Sequence, residues 1–140
     1  MQISQQTIDE ANTELRKARR NLRKATSLKE AKEAARRVVD LKTTDAETSP
    51  VEYDDYLWPA DRESQARISE LIRQGERKDG WAYQARAVGS GIVEVGVDDL
   101  KTIAEAYTDQ IDAAREWAAA QLERISESES MEDLKGLSFE

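Results

Sequence analysis

The sequence predicts an α+β protein, mainly α, and three observations carry that expectation. A heptad-like run of apolar residues opens the chain, two short β-rich segments surround a glycine turn in its middle, and a long periodic helix follows. Together they predict a helical hairpin or coiled-coil arm over residues 1–42, a linker over 43–50 and an acidic α+β domain over 51–140. In that domain a small antiparallel sheet (a hairpin plus an edge strand) carries one short helix, then one long C-terminal helix and a short tail.

The arm is read from spacing. Ile8, Ala11, Leu15, Ala18, Leu22 and Ala25 recur at steps of 3, 4, 3, 4 and 3, an a/d seam with Arg and Lys on most other faces. A helix over 5–25 would be about 30 Å long. Its stripe is narrow and alanine-rich, which suits close packing of helix on helix. At Thr26-Ser27 the register slips, and Ser27 with Glu30 reads as a capping box opening a second helix. Leu28, Ala31, Ala35, Val38 and Leu41 supply its apolar face. Two helices, or one helix with a stutter, fit this pattern.

Residues 43–50 are polar and aperiodic, the expected linker. Val51 to Trp58 is aromatic and partly alternating and is stopped by Pro59, as an edge strand would be. Asp61 is placed to cap a helix over 62–74 that turns Ile68, Leu71 and Ile72 inward and ends at Gly75. Trp81–Val88 and Ile92–Val95 read as strands joined by the loop Gly89-Ser90-Gly91. Asp98 and Asp99 sit where a helix dipole favours acids, and the helix they open runs to about Ser126. Its stripe includes Leu100, Ile103, Tyr107, Ile111, Ala114 and Leu122. Residues 126–130 break it, and Met131, Leu134, Leu137 and Phe139 form a tail element that could dock on a neighbour.

The charge is distributed unevenly. Residues 1–42 carry eleven Lys/Arg against six Asp/Glu, and residues 43–140 carry ten against 23, within a net of -8. That acidity disfavours bulk binding to nucleic acid or an anionic membrane. No apolar run is long enough for a membrane helix, and residues 1–10 do not read as a secretory signal. The basic cluster Arg16, Lys17, Arg19, Arg20, Arg23 and Lys24 has three readings: a solvated face, a surface docking on an acidic protein, or a phosphate grip. No aromatic residue interleaves with it, so base stacking has no support.

The chain has no His and no Cys, which removes Ser-His-Asp and Cys-His nucleophiles and the usual zinc sites. Gly89-Ser90-Gly91 is too short for a dinucleotide fingerprint. Acids among aromatics, Asp54, Asp55 and Asp61 beside Tyr53, Tyr56 and Trp58, are the sole catalytic constellation, and a turn plus a helix cap explains them better than a glycosidase does. Trp58, Trp81 and Trp117 read as core or interface anchors. No enzyme, cofactor or metal is expected.

One resemblance adds context. An aromatic strand leads to Pro59-Ala60-Asp61 with Ser64-Gln65 opening a short helix. Trp81, a β-hairpin and Val97-Asp98-Asp99-Leu100 then open a long alanine-rich helix that closes near Leu122 and Ile125. Over about residues 51–137 this pattern resembles an uncharacterised domain family of tailed bacteriophages, found in tail-fibre and tail-assembly proteins. Where members often carry Asn or another turn pair at the hairpin, this chain has Gly89-Ser90-Gly91. The resemblance implies a phage-tail setting rather than a mechanism, and the arm lies outside it.

The expectation is therefore a non-enzymatic tail-associated protein, a fibre-assembly chaperone or a connector in the fibre network. Its partners would be other tail or tail-fibre proteins, with homo-oligomers expected, no membrane and nucleic acid disfavoured. Docking would use the seam Ile8/Ala11/Leu15/Ala18/Leu22/Ala25, and on the C-terminal helix and tail Tyr107, Ile111, Trp117, Leu134, Leu137 and Phe139. Its place would be the host bacterial cytoplasm during assembly, with the virion tail as a further destination. The alternative is a small phage-encoded regulator that binds a basic surface of a host protein.

Overall fold

A computed structural model describes the backbone of residues 5–137 and 139, with side chains from Thr13 onward. Among the described residues the order is α1 (Gln5–Lys24), α2 (Leu28–Thr48), β1 (Val51–Tyr53), β2 (Tyr56–Trp58), α3 (Arg62–Glu76), β3 (Tyr83–Ala87), β4 (Gly91–Val95), α4 (Val97–Glu127) and α5 (Met131–Lys135). The protein is α+β and mainly α, with two small antiparallel sheets of two strands each. Its described residues divide into two compact units: 46–112, and 5–45 together with those from Ala113 on. The division differs from the expected arm, linker and domain, because the second half of α4 belongs with α1 and α2.

The discontinuous unit is helical. α1 and α2 are separate helices, since Ser27 caps the second: its hydroxyl accepts from Glu30 N–H at 3.2 Å. The expected linker is mostly helix, for α2 runs on to Thr48, with Thr43 donating its hydroxyl to Val39 O at 2.7 Å. Ala18, Leu22, Ala25, Ala31, Ala35, Val38, Val39, Ile125, Leu134 and Phe139 are buried in one cluster. Each large member contributes about 2 kcal/mol by leaving water. Five of the cluster's buried residues are alanines: Ala18, Ala25, Ala31, Ala34 and Ala35. Three lysines close the ends: Lys135 Nζ donates to Ala25 O at 3.1 Å, Lys32 Nζ to Ser126 O at 3.2 Å, and Lys42 Nζ to Phe139 O. The first two satisfy carbonyls that a helix C-terminus leaves open.

In residues 46–112 the expected edge strand is in fact a hairpin. Asp54 and Asp55 take φ of 52° and 65° between β1 and β2, a two-residue turn with both central residues left-handed. Trp58 Nε1 donates back to Tyr53 O at 3.0 Å. The second hairpin pairs Tyr83 with Val95 and Ala87 with Gly91, so its loop is Val88-Gly89-Ser90, with positive φ at Gly89 and Gly91. Val88 N–H donates to Leu57 O at 2.8 Å and joins the two hairpins. α3 ends at Glu76, one residue past the expected stop, and Gly75 serves packing instead. A Cβ there would lie 2.6 Å from Trp81 Cε3. The buried core comprises Val51, Trp58, Ala60, Ile68, Ala87, Val95, Leu100, Ile103 and Tyr107.

Polar bonds fix this unit. Asp61 holds the N-cap position of α3, yet its carboxylate accepts the Ser64 hydroxyl rather than a backbone N–H. Buried Glu47 accepts from Arg62 Nη2 at 2.7 Å. Asp99 accepts from Gly96 N–H at 2.9 Å and from Tyr53 OH at 2.6 Å. The tyrosine bond, then the backbone bond, holds the Asp99 carboxyl below its usual range, and the same carboxylate raises Tyr53. No helix among the described residues is long and apolar enough to cross a membrane.

Candidate functional site

The described part of the seam, from Leu15 to Ala25, packs inside the chain. Ala18, Leu22 and Ala25 are 3%, 8% and 4% exposed, and Leu15 packs against the same cluster, whose other members include Ile125 and Leu134. The side chains of Ile8 and Ala11 lie outside the described residues. The second set is scattered. Tyr107 is buried in the core of residues 46–112, while Leu134 and Phe139 are buried in the helical unit and Leu137 packs against it. Trp117 is half-buried, with the Lys42 ammonium 5.8 Å from its ring, and Ile111 is half-buried. Of the two sets, Ala18, Leu22, Ala25, Tyr107, Leu134 and Phe139 are buried within the chain. Periodicity announces an apolar face but not which partner covers it, and here the partners are helices of the same chain.

Two surfaces remain. On α1 the side chains of Arg16, Lys17, Arg19, Arg20, Arg23 and Lys24 are all exposed. Among the described residues none of the six forms an ion pair, and Glu14 is joined to Arg37 of α2 at 3.7 Å. Folding also changes the electrostatics that the sequence suggested. The unit built from residues 3–45 and 113–140 holds fourteen Lys/Arg and fourteen Asp/Glu, whereas residues 46–112 hold seven and fifteen. The basic helix is thus balanced within its own unit, and the whole net charge of -8 resides in the other.

The second surface is a cleft of about 190 Å³ in residues 46–112, between α3, α4 and the two hairpins. Trp58, Ile68, Leu100, Ile103 and Tyr107 form its apolar base, and Glu63, Arg67 and Arg86 stand at its rim. Tyr107 is not poised for chemistry: its hydroxyl donates to Pro59 O, and burial pushes its pKa up to about 12. The Arg67 guanidinium lies 5.7 Å from the Tyr83 ring centroid, and Tyr83 stacks on Trp81 with ring planes 9° apart. At this size the cleft falls below the ~300–1,000 Å³ typical of cofactor and substrate sites. Asp54 and Asp55 occupy the turn and Asp61 is held by Ser64, so the three acids have separate structural duties. Among the described residues no group of three acids is placed to hold a metal ion.

Sequence reasoning missed this cleft because each of its apolar residues reads as core. The one available signal was alternation along β3, which turns Arg86 outward between Ala85 and Ala87. No family model matches the chain, and no curated protein or solved structure matches it either.

Proposed function

We propose that this chain is a non-enzymatic bacteriophage tail-associated protein, a fibre-assembly chaperone or a connector in the fibre network, that works by docking on other tail proteins. The docking surface in this reading is the exposed face of α1 rather than its seam. The observation that carries it is the row of six exposed basic side chains on a single helix, none of which forms an ion pair among the described residues. Like charges so close raise one another's energy, and an acidic protein surface relieves that repulsion while releasing counterions. The tail setting rests on the resemblance alone.

Mass spectrometry of purified virions and of tail-assembly intermediates tests the setting. A connector is found in both and a chaperone in the intermediates; absence from both ends the proposal. The surface is tested by the triple variant Arg19→Glu, Arg20→Glu, Arg23→Glu, which should lose association with the intermediates at an unchanged melting temperature. The regulator reading has one observation in its favour, the net charge of -8 concentrated in residues 46–112. Salt-sensitive capture of a basic host protein, with no tail association, would select it.

A further inference from the structure

We infer that the cleft in residues 46–112 is a second docking site, which takes a short acidic peptide segment anchored by one bulky apolar side chain. Size is the first argument. A cavity of about 150 Å³ holds a benzene molecule, so a cleft of about 190 Å³ fits one leucine- or phenylalanine-sized side chain and excludes a nucleotide. Lining is the second. Ile68, Leu100 and Tyr107 offer the apolar contact that such a side chain needs, and the Tyr107 hydroxyl is already satisfied by Pro59 O, so burying it further strands no polar group.

Charge decides the flanking chemistry. Residues 46–112 are strongly acidic, and three of their seven basic residues (Arg62, Arg73 and Lys101) are paired with carboxylates. Arg67 and Arg86 form no ion pair among the described residues, yet both stand at the cleft mouth. The Arg67 guanidinium lies 5.7 Å from the Tyr83 ring centroid, a weak attraction that favours its place at the mouth. A planar guanidinium of this kind binds a carboxylate through two parallel hydrogen bonds. The surrounding acids work against a highly charged peptide. Glu63 shares the rim with the two arginines, and Asp61 acts on Tyr107 at the base. Acids beyond about 8 Å are screened at physiological salt, so the fitting ligand carries one or two carboxylates, on the arginine side of its anchor.

The test uses the full chain and a fluorescein-labelled peptide with one phenylalanine between two glutamates, read by fluorescence anisotropy and by amide chemical shifts. Saturable binding is expected, with shifts at Arg67, Tyr83 and Ala85. Arg67→Glu with Arg86→Glu should weaken it about tenfold or more at an unchanged melting temperature. Peptides with serine for phenylalanine, or glutamine for both glutamates, should bind correspondingly worse. Shifts confined to α1, or loss in the α1 triple variant instead, would assign acidic binding to the other surface and overturn the inference. Equal binding of the glutamine peptide, absence of saturation, or the same shifts arising from protein concentration alone (a second copy in the cleft) would overturn it too.

Discussion

The helical unit and residues 46–112 reach stability by different means. In the first, five alanines at 0–9% exposure share one core with Leu22, Val38, Val39, Ile125 and Leu134, and lysines on carbonyl oxygens secure the ends. In the second, Trp58 and Tyr107 join aliphatic residues in the core with four partly buried aromatics around it, and polar bonds such as Tyr53 to Asp99 and Arg62 to Glu47 fix short elements. It is in the second, between α3, α4 and the two hairpins, that a cleft opens.

Each unit can be destabilised separately. Leu134→Ala should have the largest effect, about 3 kcal/mol, because the fully buried side chain leaves a cavity that the helices cannot collapse to fill. Hydrogen exchange should show α1 and α2 losing protection while β3 and β4 keep theirs; equal loss in both would mean that the units are not separable. Gly75→Ala should cost about 2 kcal/mol by forcing the Trp81 ring and Val97 away from α3. Here the exchange pattern should reverse, with β3–β4 and α3 opening first.

A smaller effect sharpens the contrast through pH. All four tyrosines lie in residues 46–112. Tyr107 has a folded pKa raised to about 12 from an ordinary 10, so its contribution is complete below pH 10 and is lost as pH rises toward 12. Tyr107→Phe should therefore lower stability modestly at neutral pH and flatten its fall between pH 10 and 12, as followed by chemical denaturation. An unaltered alkaline slope would show that the hydroxyl is not buried in solution.

Much of the fold was legible before the structure. Ser27 with Glu30 marked the start of α2, and the glycines around Ser90 marked the second hairpin. The first hairpin was hidden because Asp54-Asp55 is an unusual pair for a turn in which both residues are left-handed, where Asn-Gly is the common signal. The tail of α2 was hidden because Thr43 to Thr48 has no apolar period; Thr43 Oγ1 on Val39 O is a contact no spacing rule reveals. The candidate site was less legible still. The α1 cluster was visible as a charge run, but the cleft depends on which sides of α3, α4 and the hairpins meet, and that is set by packing over distances the local pattern does not encode.

The layout of the helical unit along the chain has a consequence for biosynthesis. Its core joins Leu22 and Val38 to Ile125, Leu134 and Phe139, so the intervening segment must be made before that core can close. Residues 46–112 are contiguous and meet no such delay. A ribosome adding ~5–20 residues per second therefore releases the middle of the chain ready to fold while α1 and α2 wait, their apolar stripe uncovered, for α4 and the tail to emerge.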